Sequence, residues 1–197
     1  KYSAPRIALD TITGDDLADG DISFRPQRPW KERLNGVTPK YRSSAHQWEY
    51  VQSTLVQNAT ARTEDGEDKI QERQFDLVKL KDQAAQLAGY LVGDAREAGP
   101  LVLPCKPRLM EYRIGEVRTV DLPEALPTAL NGGNFVITAR AVDPGTGIVV
   151  LTMYSETAAK HSFALGQSGT VPTTKTIITP EQRDGAISTN ASDPNSA

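Results

Sequence analysis

One stretch constrains this chain more than any other: LKDQAAQLAGYLVGDAREAG, residues 80–99. Apolar side chains at Leu80, Ala84, Leu87, Ala88, Leu91 and Ala95 recur at steps of three and four, which stacks them on one helical face. Asp82 stands at the start, where a carboxylate meets orphan N–H groups and the positive end of the helix dipole. Arg96 falls in the last turn, Gly99 suits a left-handed C′ position and Pro100 forbids continuation. The spacing predicts one long amphipathic helix over about 82–97, packed on a sheet, and no other long helix.

Strands are expected on both sides of it. VTPKYR and HQWEYV alternate apolar and polar residues and read as a hairpin, with Tyr41 in the first arm and Trp48, Tyr50 and Val51 in the second. The polar run from Gln57 to Glu72 reads as a turn with Asp65-Gly66 at its tip, and Phe75 and Leu77 as a strand entering the helix. LVLPCKPRL carries two prolines and is expected at an edge or in an irregular strand. RIGEVRTV is a strand opened by a turn at Gly115. Phe135, Ile137 and Ala139 alternate inward, DPGTG turns, and IVVLTMY answers as the partner of a hairpin. Beyond His161 the periodicity is lost in Thr, Ser, Gly and Pro, the composition of a linker. The implied fold class is α+β with mainly antiparallel sheets. Three regions are expected: a strand-plus-helix lobe at 15–99, a small antiparallel β lobe at 100–166 and a flexible linker at 167–197.

Chemistry is harder to find. Twenty-five acidic against 22 basic residues give a net charge of −3, which argues against a dedicated nucleic-acid binder. Arg25, Arg28, Lys31, Arg33, Lys40 and Arg42 do interleave with Phe24, Trp30 and Tyr41, but no nucleic-acid-binding motif contains them. One cysteine, Cys105, excludes an internal disulfide and a cysteine-rich metal site, and its default is a buried inert thiol. His46 and His161 lack a histidine partner at metal-ligand spacing. Asp15, Asp16, Asp19 and Asp21 fail the calcium-loop pattern, because Leu17 and Pro26 occupy ligand positions, and read as a turn or helix cap. Gly14, Gly132 and Gly133 match no phosphate loop. Glu64, Asp65, Glu67 and Asp68 share one polar turn expected to face water, not two walls of a hydrolytic cleft. Asn58 and Asn190 open glycosylation triplets that mean nothing without secretion. No catalytic, cofactor-binding or metal-binding residue is expected, nor any cofactor, and no apolar run is long enough for a membrane span. The chain starts at Lys1 and is expected to be a piece of a longer protein.

Taken in order, these pieces resemble the tail-hub, or tip-attachment, proteins of long-tailed bacteriophages and prophage tail particles. ISFRPQRPWKERLNGV is similar to that family's segment in which Glu-Arg, Asn and a strand follow an arginine-containing run, here Glu32, Arg33, Asn35 and Val37. Tyr41 and Trp48 come next as the aromatic pair, then Asp65-Gly66. Gln83, Ala84, Leu87 and Ala88 carry the helix signature, which ends near Arg96. Gly115-Glu116-Val117 keeps the family's next turn but replaces its aspartate. Ala164, Gly166, Gly169 and Pro172 resemble the exit toward Pro-rich linkers and fibronectin-like modules. The resemblance spans residues 12 to 172. It implies a virion structural protein and not an enzyme: a trimeric hub or baseplate ring that closes the tail tube, holds the tape-measure end and carries host-attachment modules. The implied partners are other copies of itself and the tail-tube, tape-measure and distal-tail proteins. The implied location is the phage tail, assembled in the bacterial host cytoplasm. Two rivals remain from other classes: a carbohydrate or receptor-binding module using Trp30 and Trp48, and a tail-associated peptidoglycan hydrolase using Glu64 or Asp65.

Overall fold

The computed structural model describes residues 7–173. The elements run β1 (Thr11–Ile12), β2 (Ser23–Phe24), β3 (Gly36–Arg42), β4 (Tyr50–Gln52), β5 (Val56–Gln57), α1 (Ala59–Asp65), β6 (Ile70–Phe75) and α2 (Lys81–Asp94). After these come β7 (Leu101–Cys105), β8 (Val117–Val120), β9 (Gly133–Val142), β10 (Val149–Ser155) and α3 (Ala158–Leu165). The class is α+β with mostly antiparallel pairing, as the patterning implies. β1–β8 and β3–β6 are the parallel pairs.

Six strands form one sheet in the order β1-β8-β9-β10-β7-β2. Its centre is the β9–β10 hairpin, with Phe135 beside Ser155 and Ile137 beside Met153. Val149, Leu151 and Met153 alternate inward and join Phe135, Ile137, Leu101, Leu103 and Cys105 in a sealed core, closed by Leu109, Tyr112, Leu122 and Leu126 from the connecting loops. Ala139 departs from its expected inward position. The register shifts between Thr152 and Met153, so Thr138 is an extra residue in β9, and a bulge of this kind resets which face the following side chains take. β7 also departs from expectation, since it is interior, between β10 and β2, despite its proline. Pro104 is tolerated because β2 pairs only with Leu101 and Val102; beyond them the Pro104 carbonyl accepts from Ala18 N–H at 3.0 Å, a bond that needs no donor from proline.

The second sheet has four strands. β3 takes β4 and β5 along one side and β6 along the other. The expected hairpin is present, with Tyr41 opposite Val51. β6, by contrast, lies at 70–75, upstream of the strand read at Phe75 and Leu77, and Leu77 is 94% exposed. Exposed side chains along β6 leave no alternation to detect. It is a six-residue edge with no proline or bulge, whereas the first sheet ends on two-residue strands at both edges.

α2 covers this sheet, but it has 14 residues and is one of three described helices, not the single long helix of the patterning. It stops at Asp94 instead of 97. Arg96 is drawn toward α1, and Gly99, at φ 141°, lies beyond the helix cap and not at C′. The buried face is also rotated, being Ala84, Ala85, Ala88, Gly89 and Val92, while Leu80 and Leu87 reach the surface. The cause is α3, whose second half falls in the stretch beyond His161 where periodicity is lost, and which packs across α2. An added Cβ at Gly89 would stand 2.8 Å from the Ala164 Cα. Gly89→Ala is therefore expected to destabilise the protein by about 1–3 kcal/mol of overpacking, against a helix-propensity gain of about 1 kcal/mol. Urea denaturation reads the sign, and a stabilised variant contradicts the packing.

After α3 the chain folds back over the start of α2. Gly169 N–H donates to Asp82 Oδ1 at 3.0 Å, and Thr170 N–H to Ser53 Oγ at 3.0 Å. Asp82 thus holds this strap, and residue Leu80 is the cap position without a side-chain bond. The greater part of the expected linker, 174–197, lies outside the described residues.

Candidate functional site

Two polar clusters lie where the sheets and helices meet. The first is organised by Asn35, fully buried just before β3. Its Nδ2 donates to the Glu67 carbonyl at 2.7 Å and to Asp65 Oδ2 at 3.2 Å, while its Oδ1 accepts from Lys69 N–H at 2.8 Å. Asp65 closes α1, which Asn58 caps by accepting from Ala61 N–H at 3.1 Å and Gly66 ends at φ 71°. Arg96 reaches Asp65 at 2.8 and 3.0 Å and Glu64 at 2.7 Å. Burial pushes the Asp65 carboxyl up, but hydrogen bonds from Arg96 and Asn35 outweigh it and hold the group below its ordinary value. A carboxylate held ionised in this way is a poor proton donor.

The expected water-facing acidic turn is thus corrected. α1 forms there, Asp65 points inward with its side chain 1% exposed, and Arg62 takes Asp68 at 2.7 Å. Four acids close in sequence look alike, Arg96 bonds both Glu64 and Asp65, and the bond from the buried Asn35 is what distinguishes Asp65 from the rest.

Above this knot the loop at 25–33 is tied to the start of β7. Gly99 N–H donates to the Arg25 carbonyl at 2.9 Å and Arg25 N–H to the Pro100 carbonyl at 3.2 Å. Arg33 turns back on the loop, donating from Nε to the Arg28 carbonyl at 3.1 Å and from Nη2 to Gln27 Oε1. Arg28 lies over the Tyr154 ring at 5.0 Å, with a buried Nε that has no hydrogen-bond partner among the described residues. An orphaned buried donor costs about 1–3 kcal/mol. A cleft of about 310 Å³ opens between loop and helices, lined by Gln27, Arg28, Arg33, Glu64, Asp65, Ala95 and Arg96.

The second cluster joins α2 to β10 and α3. Glu97 accepts from Ser155 Oγ, from Thr157 Oγ1 at 2.6 Å and from Thr157 N–H at 3.2 Å. Glu156 meets Lys160 Nζ at 2.6 Å and His161 Nε2 at 2.8 Å, Lys160 also reaches Asp94 at 3.0 Å, and Tyr90 Oη lies 3.2 Å from His161 Nδ1. His161 is thus buried and engaged at both ring nitrogens. Ser155 bonds a carboxylate and not an imidazole, so the nucleophile–base pairing of acyl transfer does not arise there. The spacing of Glu156, Lys160 and His161, four and five residues apart, is the one signal by which the sequence could have disclosed this cluster.

The remaining candidates are dispersed. His46 Nδ1 lies 3.2 Å from Ser43 Oγ. Asp16 caps a single turn, accepting from Thr13 N–H at 2.9 Å and pairing with Arg108. Among the described residues no three His, Cys, Asp or Glu side chains gather to hold a metal ion, and no helix is long and apolar enough to cross a membrane. The basic–aromatic stretch is split. Lys40 pairs with Glu72 at 2.6 Å, Arg42 stacks on Tyr50 at 4.5 Å, and the Lys69 ammonium sits 3.2 Å from the Trp30 ring centre. That ammonium covers one face of Trp30, a face a sugar would need. Trp48 is half exposed at φ 66° with Lys79 at 5.1 Å. Cys105 is fully buried, and burial pushes its thiol up to about 12. It is expected to resist a disulfide-exchange thiol reagent until urea unfolds the protein; rapid native labelling contradicts this.

Of the residues carrying the tail-hub resemblance, Asn35, Asp65 and Arg96 converge on the first cluster, and Tyr41 of β3 is buried against the face of α2 that carries Ala84 and Ala88. No family model matches the chain, and no curated protein matches it in sequence. Among solved structures it is similar to a chain from the virion of a native gene transfer agent particle, with a TM-score of 0.59 and 15% identity. That similarity covers 79% of this chain and 33% of the other. The 43 kDa tail protein of prophage MuSo2 from Shewanella oneidensis aligns at a TM-score of 0.45 and 14% identity, over 76% of this chain and 44% of that one. The chain therefore spans about a third of the first protein and less than half of the second, and what it shares with the first is the fold.

Proposed function

We propose that this chain is the central part of a hub or tip-attachment subunit in a phage-type tail, a structural element of the particle and not an enzyme. The observation that carries the reading is the likeness of fold, over 79% of the chain, to a component of a gene transfer agent virion. Physical features support it. Among the described residues β6 offers six residues of open sheet edge, Trp48 and Leu77 are exposed on the turns next to β4 and β6, and the carboxylates that would do hydrolytic work are tied to Arg96 or Lys160. Such a surface suits a subunit that finishes its packing against neighbours.

In this reading three copies of the full protein form a ring at the distal end of the tail. The ring closes the tube, meets the tape-measure and distal-tail proteins, and carries host-attachment modules. Residues 15–99 and 100–166 act as two lobes of the ring, and the link to the attachment modules follows the strap at Gly169 and Thr170. The native mass of the full-length protein tests the ring, and immunogold microscopy of particles tests its place. A trimer labelled at the tail tip is expected. A monomer missing from purified particles overturns the proposal.

A further inference from the structure

The cleft at 25–33 holds more donors than acceptors. Of the five N–H groups on Arg28 none is hydrogen-bonded among the described residues, and Arg33 uses two of its own, both within the loop. Neither guanidinium has a carboxylate within ion-pair distance among the described residues. Arg96, on the opposite wall, is committed to Glu64 and Asp65. Among the groups that line this cleft, three guanidinium groups against two carboxylates leave one positive charge in excess, and Arg28 also lines the adjoining pocket, where Glu97, Glu156 and Asp94 are engaged by Ser155, Thr157, His161 and Lys160. Arg28 is also held in place, its face on Tyr154 and its loop tied to Gly99 and Pro100, so the donors are already arranged before anything binds.

We propose that this cleft is a carboxylate-binding site, in which Arg28 and Arg33 take an Asp or Glu side chain from a neighbouring protein. Charge selects the ligand. One carboxylate neutralises the excess and matches the planar donor fork of an arginine. A phosphate, carrying about −1.5 to −2, would be over-charged for the cleft and would face Glu64 and Asp65. The volume of about 310 Å³ has room for a side chain and its flanking backbone, not for a folded element. The identity of the neighbour as another tail subunit rests on the assembly reading above; the carboxylate chemistry does not.

The test uses the whole 197-residue chain and tracks arginine Nε–Hε signals by NMR. The probes are a blocked peptide with one Glu between apolar residues, its Gln twin, acetate and inorganic phosphate. The Glu peptide is expected to shift the Arg28 and Arg33 signals, its Gln twin to leave them in place, and acetate and phosphate to act only at higher concentration. Arg28→Gln is expected to weaken the Glu peptide about tenfold, the worth of one charge-assisted hydrogen bond. Arg33→Gln provides a second variant should the first unfold. Equal response to Glu and Gln peptides, phosphate binding ahead of the peptide, or unchanged affinity in both variants overturns the site. Acetate binding as tightly as the peptide overturns the protein source of the carboxylate. These readouts are separate from ring mass and particle labelling, so failure of the site and failure of the assembly reading are told apart.

Discussion

Asp65→Ala is expected to lower the melting temperature by roughly 6–12 °C, from a loss of about 3 kcal/mol. The loss comes from what the carboxylate leaves behind. Arg96 is 20% exposed and would keep only Glu64, itself 65% exposed, while the buried Asn35 amide would lose one of its two acceptors. Breaking one side of a buried pair costs more than the pair contributes, because the remaining charge cannot return to water. The partial exposure of Arg96 keeps the loss at the lower end of the roughly 3–5 kcal/mol that breaking a buried pair costs. The pH dependence has a fixed sign. The folded-state value of Asp65 lies below its ordinary one, so its contribution is complete above the unfolded value of about 3.9 and is lost as pH falls through the folded value. The gap between wild type and Asp65→Ala should therefore be constant near neutrality and narrow in acid. Asp10, Asp76 and Asp143 are lowered too, but they are common to both proteins and cancel in the difference. Calorimetry from neutrality down into acid checks both claims. A gap that persists undiminished at the acid end contradicts the ionic role of Asp65.

That network also marks where the sequence stops being readable. The β9–β10 hairpin is legible because Phe135, Ile137, Leu151 and Met153 alternate across a turn, and each arm reports its partner. The helix at 81–94 is legible because small and apolar residues recur along it, although its orientation is not: α3 decides which face is buried, and its eight residues include Lys160 and His161, which look like solvent-facing positions. β6 escapes notice for the opposite reason, since its side chains do not alternate in burial. Asp65 lies 30 residues from Asn35 and 31 from Arg96, and Glu97 lies 58 from Ser155. Periodicity holds no record of such pairings. The resemblance singled out Asn35, Asp65 and Arg96 separately, and only the fold brings them into one knot. The excess donors of Arg28 are invisible at that level, because an arginine in a loop normally keeps its charge in water.

Lys160 offers the sharper test of how α3 is held, because its charge is almost out of reach of water. Its side chain is 4% exposed, between Glu156 at 5% and Asp94 at 53%, and its stem lies against Gly93 of α2. Glu156→Ala would strip the buried partner from Lys160 and one acceptor from His161, at an expected cost of about 3–4 kcal/mol. Replacing both members, Glu156→Gln with Lys160→Met, is expected to recover most of that loss, to within about 1 kcal/mol of wild type, since no buried charge is then left alone. Burial alone would lower the lysine, but the hydrogen bonds its ammonium donates to Glu156 and Asp94 outweigh it and raise its value. Its contribution is therefore complete below the ordinary lysine value of about 10.4 and disappears as pH rises through the folded value, the reverse of Asp65. Chemical denaturation of Glu156→Gln, Lys160→Met and the double variant that combines them gives the coupling energy, and hydrogen exchange at Ala158–Leu165 locates it. Losses that simply add across the cycle, with unchanged protection of α3, would mean that the apolar contact of α3 with α2 holds the helix and the ion pair does not. A large coupling with early exchange in α3 would make the pair the clasp. α3 and the strap after it would then release together under alkaline conditions, uncovering Gly89 and the start of α2.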